Sequence, residues 1–209
     1  MPLLFYNHGW RQTNNNIMIF PIVAYGHPTL RKVAQEIDKD YPELNELIEA
    51  MFESMHVSNG VGLAAPQINK SIRLFLVDAT PYEKEIKEDV PLQLVFINAT
   101  IVEEEGDEWA FSEGCLSVPG INEDVYRKPK IRIQYYDENW EFQDRYFEGL
   151  IARIIQHEYD HLEGVIFTDR LSPLKKTLLK GKLMDISKGK VDVDYRMIFP
   201  VLRKKRKKL

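Results

Sequence analysis

The 209-residue chain has one cysteine, Cys115, so no intramolecular disulfide can form and its stability has to come from packing. A reducing compartment suits such a chain, and a cytoplasmic location is the expectation. No apolar run approaches the ~18 to 20 residues that a membrane-spanning helix needs. Residues 1–17 contain one arginine, no acid and three successive asparagines, Asn14, Asn15 and Asn16, with no stretch apolar enough for a signal peptide. They read as a disordered leader, with Met18 as an alternative start to Met1. No internal repeat is present. What remains is ordinary for a folded protein: 44% hydrophobic and 29% charged residues exclude a disordered polymer, a collagen or a disulfide mini-protein. The length fits a single domain, placed at 18–202.

The net charge of −4 conceals an asymmetry. Arg203 to Lys208 are six consecutive basic residues, and taking those six from 28 leaves 22 basic against 32 acidic side chains, a body near −10. For the tail 203–209, a solvated charge run is the simpler reading. Contact with RNA phosphates is the sharper one. The acidic body suggests no broad nucleic-acid surface and no DNA partner.

Periodicity supplies the elements. Leu44, Leu47, Ile48, Met51, Phe52 and Met55 recur at spacings of three and four, which predicts an amphipathic helix between Pro42 and His56, with Pro42 in its first turn and the two methionines in the core. Residues 72–78 and 92–102 are rich in β-branched and aromatic types and read as strands joined by a charged loop at 83–89. Residues 131–136 and 141–147 flank Asp137 to Trp140 as a hairpin. Gly149 to Leu162 reads as a second helix ended by Gly164. A third follows Ser172 and Pro173, with Leu174, Leu178, Leu179 and Leu183 on its apolar face. Strands cluster, helices lie toward the chain ends and no βαβ unit appears. The fold class is therefore α+β, with mixed or antiparallel sheets packed around a central helix and flanked by an N-terminal and a C-terminal helix.

That central helix carries the chemistry. His157, Glu158, Tyr159, Asp160 and His161 spell H-E-x-x-H. Four residues turn a helix through about 400°, so both imidazoles stand on one stripe and can reach one metal ion. They continue the line of Leu150 and Ile154, taken as the face pointing into the protein. Glu158 falls in line with Ile151, Ile155 and Leu162, where apolar neighbours should raise its pKa toward the range useful for proton transfer.

A catalytic metal site needs a third protein ligand and an open position. The metzincin pattern would place a histidine where this chain has Phe167. A thermolysin-like site would use a later glutamate, and none follows Glu163. Asp169, Asp185, Asp192 and Asp194 remain but sit in no recognisable ligand motif. Cys115 is the strongest candidate, since a thiolate with two imidazoles suits zinc or ferrous iron.

Cys115 lies in Glu113-Gly114-Cys115-Leu116-Ser117, and upstream stands Gly60-Val61-Gly62-Leu63-Ala64-Ala65-Pro66-Gln67. With H-E-x-x-H and an aspartate before its last histidine, these motifs make the chain resemble the peptide deformylases, marked by G-x-G-x-A-A-x-Q, E-G-C-x-S and H-E-x-x-H. All three are complete and in order, and the match spans about Tyr25 to Phe167. The resemblance implies a hydrolase that takes the formyl group from N-terminal formylmethionine of nascent polypeptides. It further implies metal binding by Cys115, His157 and His161, proton transfer by Glu158, and oxyanion stabilisation by Gln67 with the backbone N–H of Leu116. One divalent ion is expected, Fe²⁺ physiologically and Zn²⁺ or Ni²⁺ as isolated, in a mostly monomeric family. Gly60, Val61 and Gly62 would line the substrate, although the glycines could equally serve a tight turn.

Other motif residues have plainer readings. Glu113 is expected in a structural ion pair, with Arg127 as its partner, and Ser117 as a turn residue or hydrogen-bond donor near the site. Asp160 is a candidate to orient a metal-bound imidazole. His8, His27 and His56 belong to no motif. A general metallopeptidase and an inactive binding module are the competing classes. The first lacks its usual third ligand, and the second is disfavoured by an intact set of site residues.

Overall fold

The computed structural model of the chain describes residues 18–86 and 90–200. The expected leader 1–17, the tail 203–209, the last two residues of the expected domain and part of the charged loop at 83–89 lie outside the described residues. In order, the elements are β1 (Ile22–Val23), α1 (Leu44–Val57), β2 (Gly62–Ala64), β3 (Leu74–Asp78), β4 (Gln93–Glu105) and β5 (Trp109–Cys115). They continue with β6 (Val118–Arg127), β7 (Lys130–Tyr136), β8 (Phe142–Glu148), α2 (Gly149–Leu162), α3 (Pro173–Ser187) and β9 (Met197–Ile198).

Five strands form one antiparallel sheet in the order β2-β3-β4-β7-β8. Strand β3, Leu-Phe-Leu-Val-Asp, is buried along its whole length because both faces of the sheet are covered. Side chains alternate across a strand. Phe75 and Val77 therefore join Phe96, Ile151, Ala152, Ile155 and Leu162 beneath α2. Leu74 and Leu76 join Leu47, Ile48, Met51 and Met55 beneath α1. Fully burying Ile151, Ile155 or Leu162 contributes roughly 1.5–3 kcal/mol each and holds α2 flat on the sheet. A third core lies under α3, where Leu179, Leu183 and Ile186 meet Val118, Ile121 and Val125 of β6 and Val23 of β1.

The α+β architecture with antiparallel sheets agrees with the sequence reading, and two details differ from it. Helix α1 begins at Leu44, preceded by Glu43 in a left-handed conformation (φ 53°), so Pro42 lies before the helix rather than in its first turn. On α3 the buried stripe is Leu179, Leu183 and Ile186, while Leu174 and Leu178 are 69% and 72% exposed. The 174–178 stripe is centred about 140° from the 179–183 stripe around the helix, and only the latter meets β6.

Two short pairings complete the frame. Strands β5 and β6 form an antiparallel hairpin closed by Leu116 and Ser117, with a register shift between Glu113 and Cys115. Near the two ends of the described chain, β1 and β9 pair in parallel, Ile22 with Met197 and Val23 with Ile198. No helix among the described residues is long and apolar enough to cross a membrane.

Candidate active site

Helix α2 follows β8 directly through Gly149, whose φ of 64° makes the turn. Its far end is fixed at Gly164 (φ 70°), where an added Cβ would stand 2.9 Å from the Arg31 carbonyl carbon. Between these points His157 and His161 project toward the β5–β6 turn. The ligand atoms of Cys115, His157 and His161 lie within 4.8 Å of one another, with Cys115 Sγ 3.3 Å from His161 Nε2. For Zn–S near 2.3 Å and Zn–N near 2.0–2.1 Å, a tetrahedral ion would hold its ligand atoms roughly 3.3–3.6 Å apart. The three side chains therefore fit a divalent ion with small adjustments, and the soft-plus-imidazole donor set suits iron, zinc or nickel.

The thiol is prepared for this. Burial alone would raise its pKa, but the charges and hydrogen bonds of His161 and His157 pull it down to about 5. His157 moves the opposite way: burial opposes its protonation, yet bonds to Cys115 and Glu113 hold it well above the usual histidine value. The Glu113 Oε2 atom lies 2.9 Å from His157 Nδ1, which leaves the other ring nitrogen for the metal position. Arg127 donates to both Glu113 oxygens at 2.7 and 2.9 Å, and Arg153 donates to Oε1 at 3.0 Å. Burial works against the Glu113 anion, but these bonds outweigh it and keep its pKa far below the usual carboxylate range.

Glu158 sits in the opposite electrostatic condition. Burial pushes its carboxyl up to about 7 against the opposing charges of the two histidines. Its Oε2 atom has no hydrogen-bond partner among the described residues. The other oxygen lies where a Cβ on Gly62 would be, 2.4 Å away, so the missing side chain at 62 makes room for the acid itself. Gly60 does the same for Leu116, whose Cδ1 would be 2.9 Å from a Cβ there. Both glycines thus admit neighbouring side chains, a third reason beside the turn and the substrate.

Gln67 occupies a single turn of 3-10 helix, Ala65–Ile68. Its Oε1 accepts the Ala64 N–H at 2.8 Å, which fixes the amide and directs Nε2 to within 3.5 Å of Cys115 Sγ. Gly60, Val61, Gly62, Gln67, Cys115, Leu116, His157 and Glu158 all border one cleft of about 500 Å³, and His161 touches Cys115 from behind. Leu150 and Ile154 also line this cleft, and Ile154, His157 and His161 are buried, so the stripe points into the protein as expected and forms the inner wall of the cleft.

One neighbour takes another role than expected. Asp160 pairs with Arg127 at 2.8 Å and with Arg170, not with an imidazole, and Glu113 does the orienting. Of the two readings of Ser117 the turn holds: it closes the β5–β6 hairpin, and its buried hydroxyl has no hydrogen-bond partner among the described residues. Glu113 and Arg127 pair as expected, but the network extends to Arg153 and His157. Sequence reasoning missed Arg153 and Tyr195. Arg153 stands four residues before His157, a spacing that could have flagged it. Tyr195 carried no signal.

Known proteins share this arrangement of chain. The family model described as polypeptide deformylase matches residues 19–177. A peptide deformylase of Christiangramia forsetii is 55% identical over 196 residues, covering 90% of this chain and 100% of its own. One from Flavobacterium johnsoniae is 52% identical over 198 residues, with the same coverage of 90% and 100%. The crystal structure of a peptide deformylase from Legionella pneumophila superposes with a TM-score of 0.71 at 38% identity, covering 82% of this chain and 97% of that one. Identity at this level over nearly full relatives, on a fold whose cleft holds the three motifs, makes the chain a member of the polypeptide deformylase family.

Proposed function

We propose that α2 is the metal-binding centre of this domain and that Cys115, His157 and His161 hold one divalent ion there. As a deformylase, the chain hydrolyses the formyl amide at the N-terminal formylmethionine of nascent polypeptides and releases formate. The observation that carries the assignment of residues is the convergence of three ligand atoms within 4.8 Å beside an unpartnered Glu158 oxygen. Fe²⁺ is the ion we favour in the cell, with Zn²⁺ or Ni²⁺ as substitutes on isolation. When bound, such an ion supplies Lewis acidity and lowers the pKa of water toward ~7.

The protein groups divide the remaining work. Glu158, poised near neutrality, accepts the proton of the attacking water and returns it to the departing amine. Gln67 Nε2 and the Leu116 N–H donate to the oxygen that gains charge as the formyl carbon becomes tetrahedral. Glu113 holds His157 in one tautomer and orientation through Nδ1. Gly60, Val61 and Gly62 form the edge along which the peptide backbone lies.

Protein purified without oxygen is expected to contain close to one metal per chain and to release formate from formyl-Met-Ala. It should leave unformylated Met-Ala intact. Cleavage of that internal amide would instead make the enzyme a general metallopeptidase.

The basic tail gives a second expectation. We assign it to ribosome contact, in a monomeric cytoplasmic enzyme with no membrane partner, because six adjacent cations form a strong site for RNA phosphates. Deleting residues 203–209 should weaken sedimentation with ribosomes at low salt, and the difference should vanish as salt rises. Equal sedimentation at low salt would leave the tail without this role.

A further inference from the structure

The hairpin turn that follows Cys115 is held from outside by the two ends of the described chain. The Ser117 carbonyl accepts the backbone N–H of Tyr25 at 2.8 Å, just beyond β1. The Leu116 carbonyl accepts the phenolic O–H of Tyr195 at 2.8 Å, just before β9. Strands β1 and β9 are themselves joined, with Ile22 N–H donating to the Arg196 carbonyl at 2.9 Å and Ala24 N–H to the Ile198 carbonyl at 2.8 Å. Both carbonyls of a two-residue turn are thus tied to one parallel strand pair.

From this geometry we infer that Tyr195 is a positioning residue for deformylation: its hydroxyl holds the carbonyl of the Leu116–Ser117 peptide, which limits rotation about the Leu116 Cα and so keeps the preceding peptide's donor, the Leu116 N–H, aimed at the developing oxyanion. Tyr195 borders the cleft, and its ring packs into the core beneath α1. The Leu116 side chain is confined against Gly60 and the carbonyl is bound by Tyr195, so the residue is gripped at two points. A donor helps a transition state only if it needs no reorientation when charge appears. Losing the phenol leaves Leu116 and its N–H in place on average but frees the turn to rock. The cost should therefore fall on kcat, with substrate binding little changed.

This inference rests on the oxyanion role proposed above for Leu116. Its test is Tyr195→Phe in the metal-loaded full chain, beside Tyr195→Leu, which also removes the ring. Tyr195→Phe is expected to lower kcat on formyl-Met-Ala about tenfold with KM within twofold of the parent, and with metal content unchanged. Amide hydrogen exchange across residues 115–118 should accelerate, a readout independent of turnover. If Tyr195→Phe turns over like the parent while Tyr195→Leu is impaired, the ring alone matters and the inference falls. It falls also if the loss tracks loss of metal, or appears in KM with kcat unchanged. A parent enzyme that releases no formate would instead refute the deformylase reading itself.

Discussion

Glu158→Gln should keep close to one metal per chain and lower kcat on formyl-Met-Ala by roughly 10²–10⁴-fold, the range of a lost general acid and base. Glutamine has the shape of the acid and fits the space left by Gly62, so binding and fold should persist. It cannot carry a proton between water and amine. The same substitution tests the environment of the acid. A carboxyl raised from 4.5 to about 7 in the folded protein favours folding below the unfolded value, and that contribution is lost as pH rises through about 7. In chelator-treated protein, Glu158→Gln should therefore melt higher than the parent at pH 8, by a stability difference on the order of 3 kcal/mol at most, and about equally at pH 4. Equal melting at both pH values would show that burial does not disfavour this anion. Unchanged turnover would remove Glu158 from the reaction.

Glu113→Ala is expected to do the greatest damage to stability. It strips the shared acceptor from Arg127, Arg153 and His157 and leaves two buried guanidinium groups short of a counter-charge. Breaking one partner of a buried ionic network typically costs about 3–5 kcal/mol, which in a domain of this size lowers Tm by roughly 10 °C. Asp160 softens the loss by retaining its bond to Arg127. Glu113→Gln, which keeps the shape, should be milder in melting but should still weaken metal affinity by about 10–100-fold through the freed His157 ring. The sign with pH is opposite to that of Glu158. Because the Glu113 pKa is depressed on folding, its contribution is present above about 4.5 and disappears as pH falls below that value. Differential scanning calorimetry and chelator competition measure both effects. A Glu113→Gln protein with parental metal affinity would reduce the network to a structural tie.

The parts legible in the sequence were those decided by neighbours in sequence. Helix α2 has an apolar stripe, a glycine at each end and two histidines four apart, and the β7–β8 hairpin turns at the polar run Asp137 to Asn139; each is fixed within a few residues of chain. Strand β3 read as apolar because both of its faces are covered. The three motifs located the cleft because the chemistry allows few substitutes for a thiolate, two imidazoles and an acid. The rest depends on remote partners. Hairpin β5–β6 is largely polar, and its identity comes from Arg127 and Arg153 bridging to and from α2. Four leucines on α3 admit two faces, and only contact with β6 selects 179 and 183. The Arg127–Asp160–Arg170 cluster diverts an aspartate that spacing alone assigns to a ligand histidine.

The pairing of β1 with β9 has a bearing on the order in which the molecule comes into being. Residues 22–23 leave the ribosome early, yet their partners at 197–198 and the cleft wall at Tyr195 are among the later residues translated. The wall that Tyr195 gives the cleft, and the strand pair that anchors it, therefore form only after residues 195–198 have been made and have returned to β1.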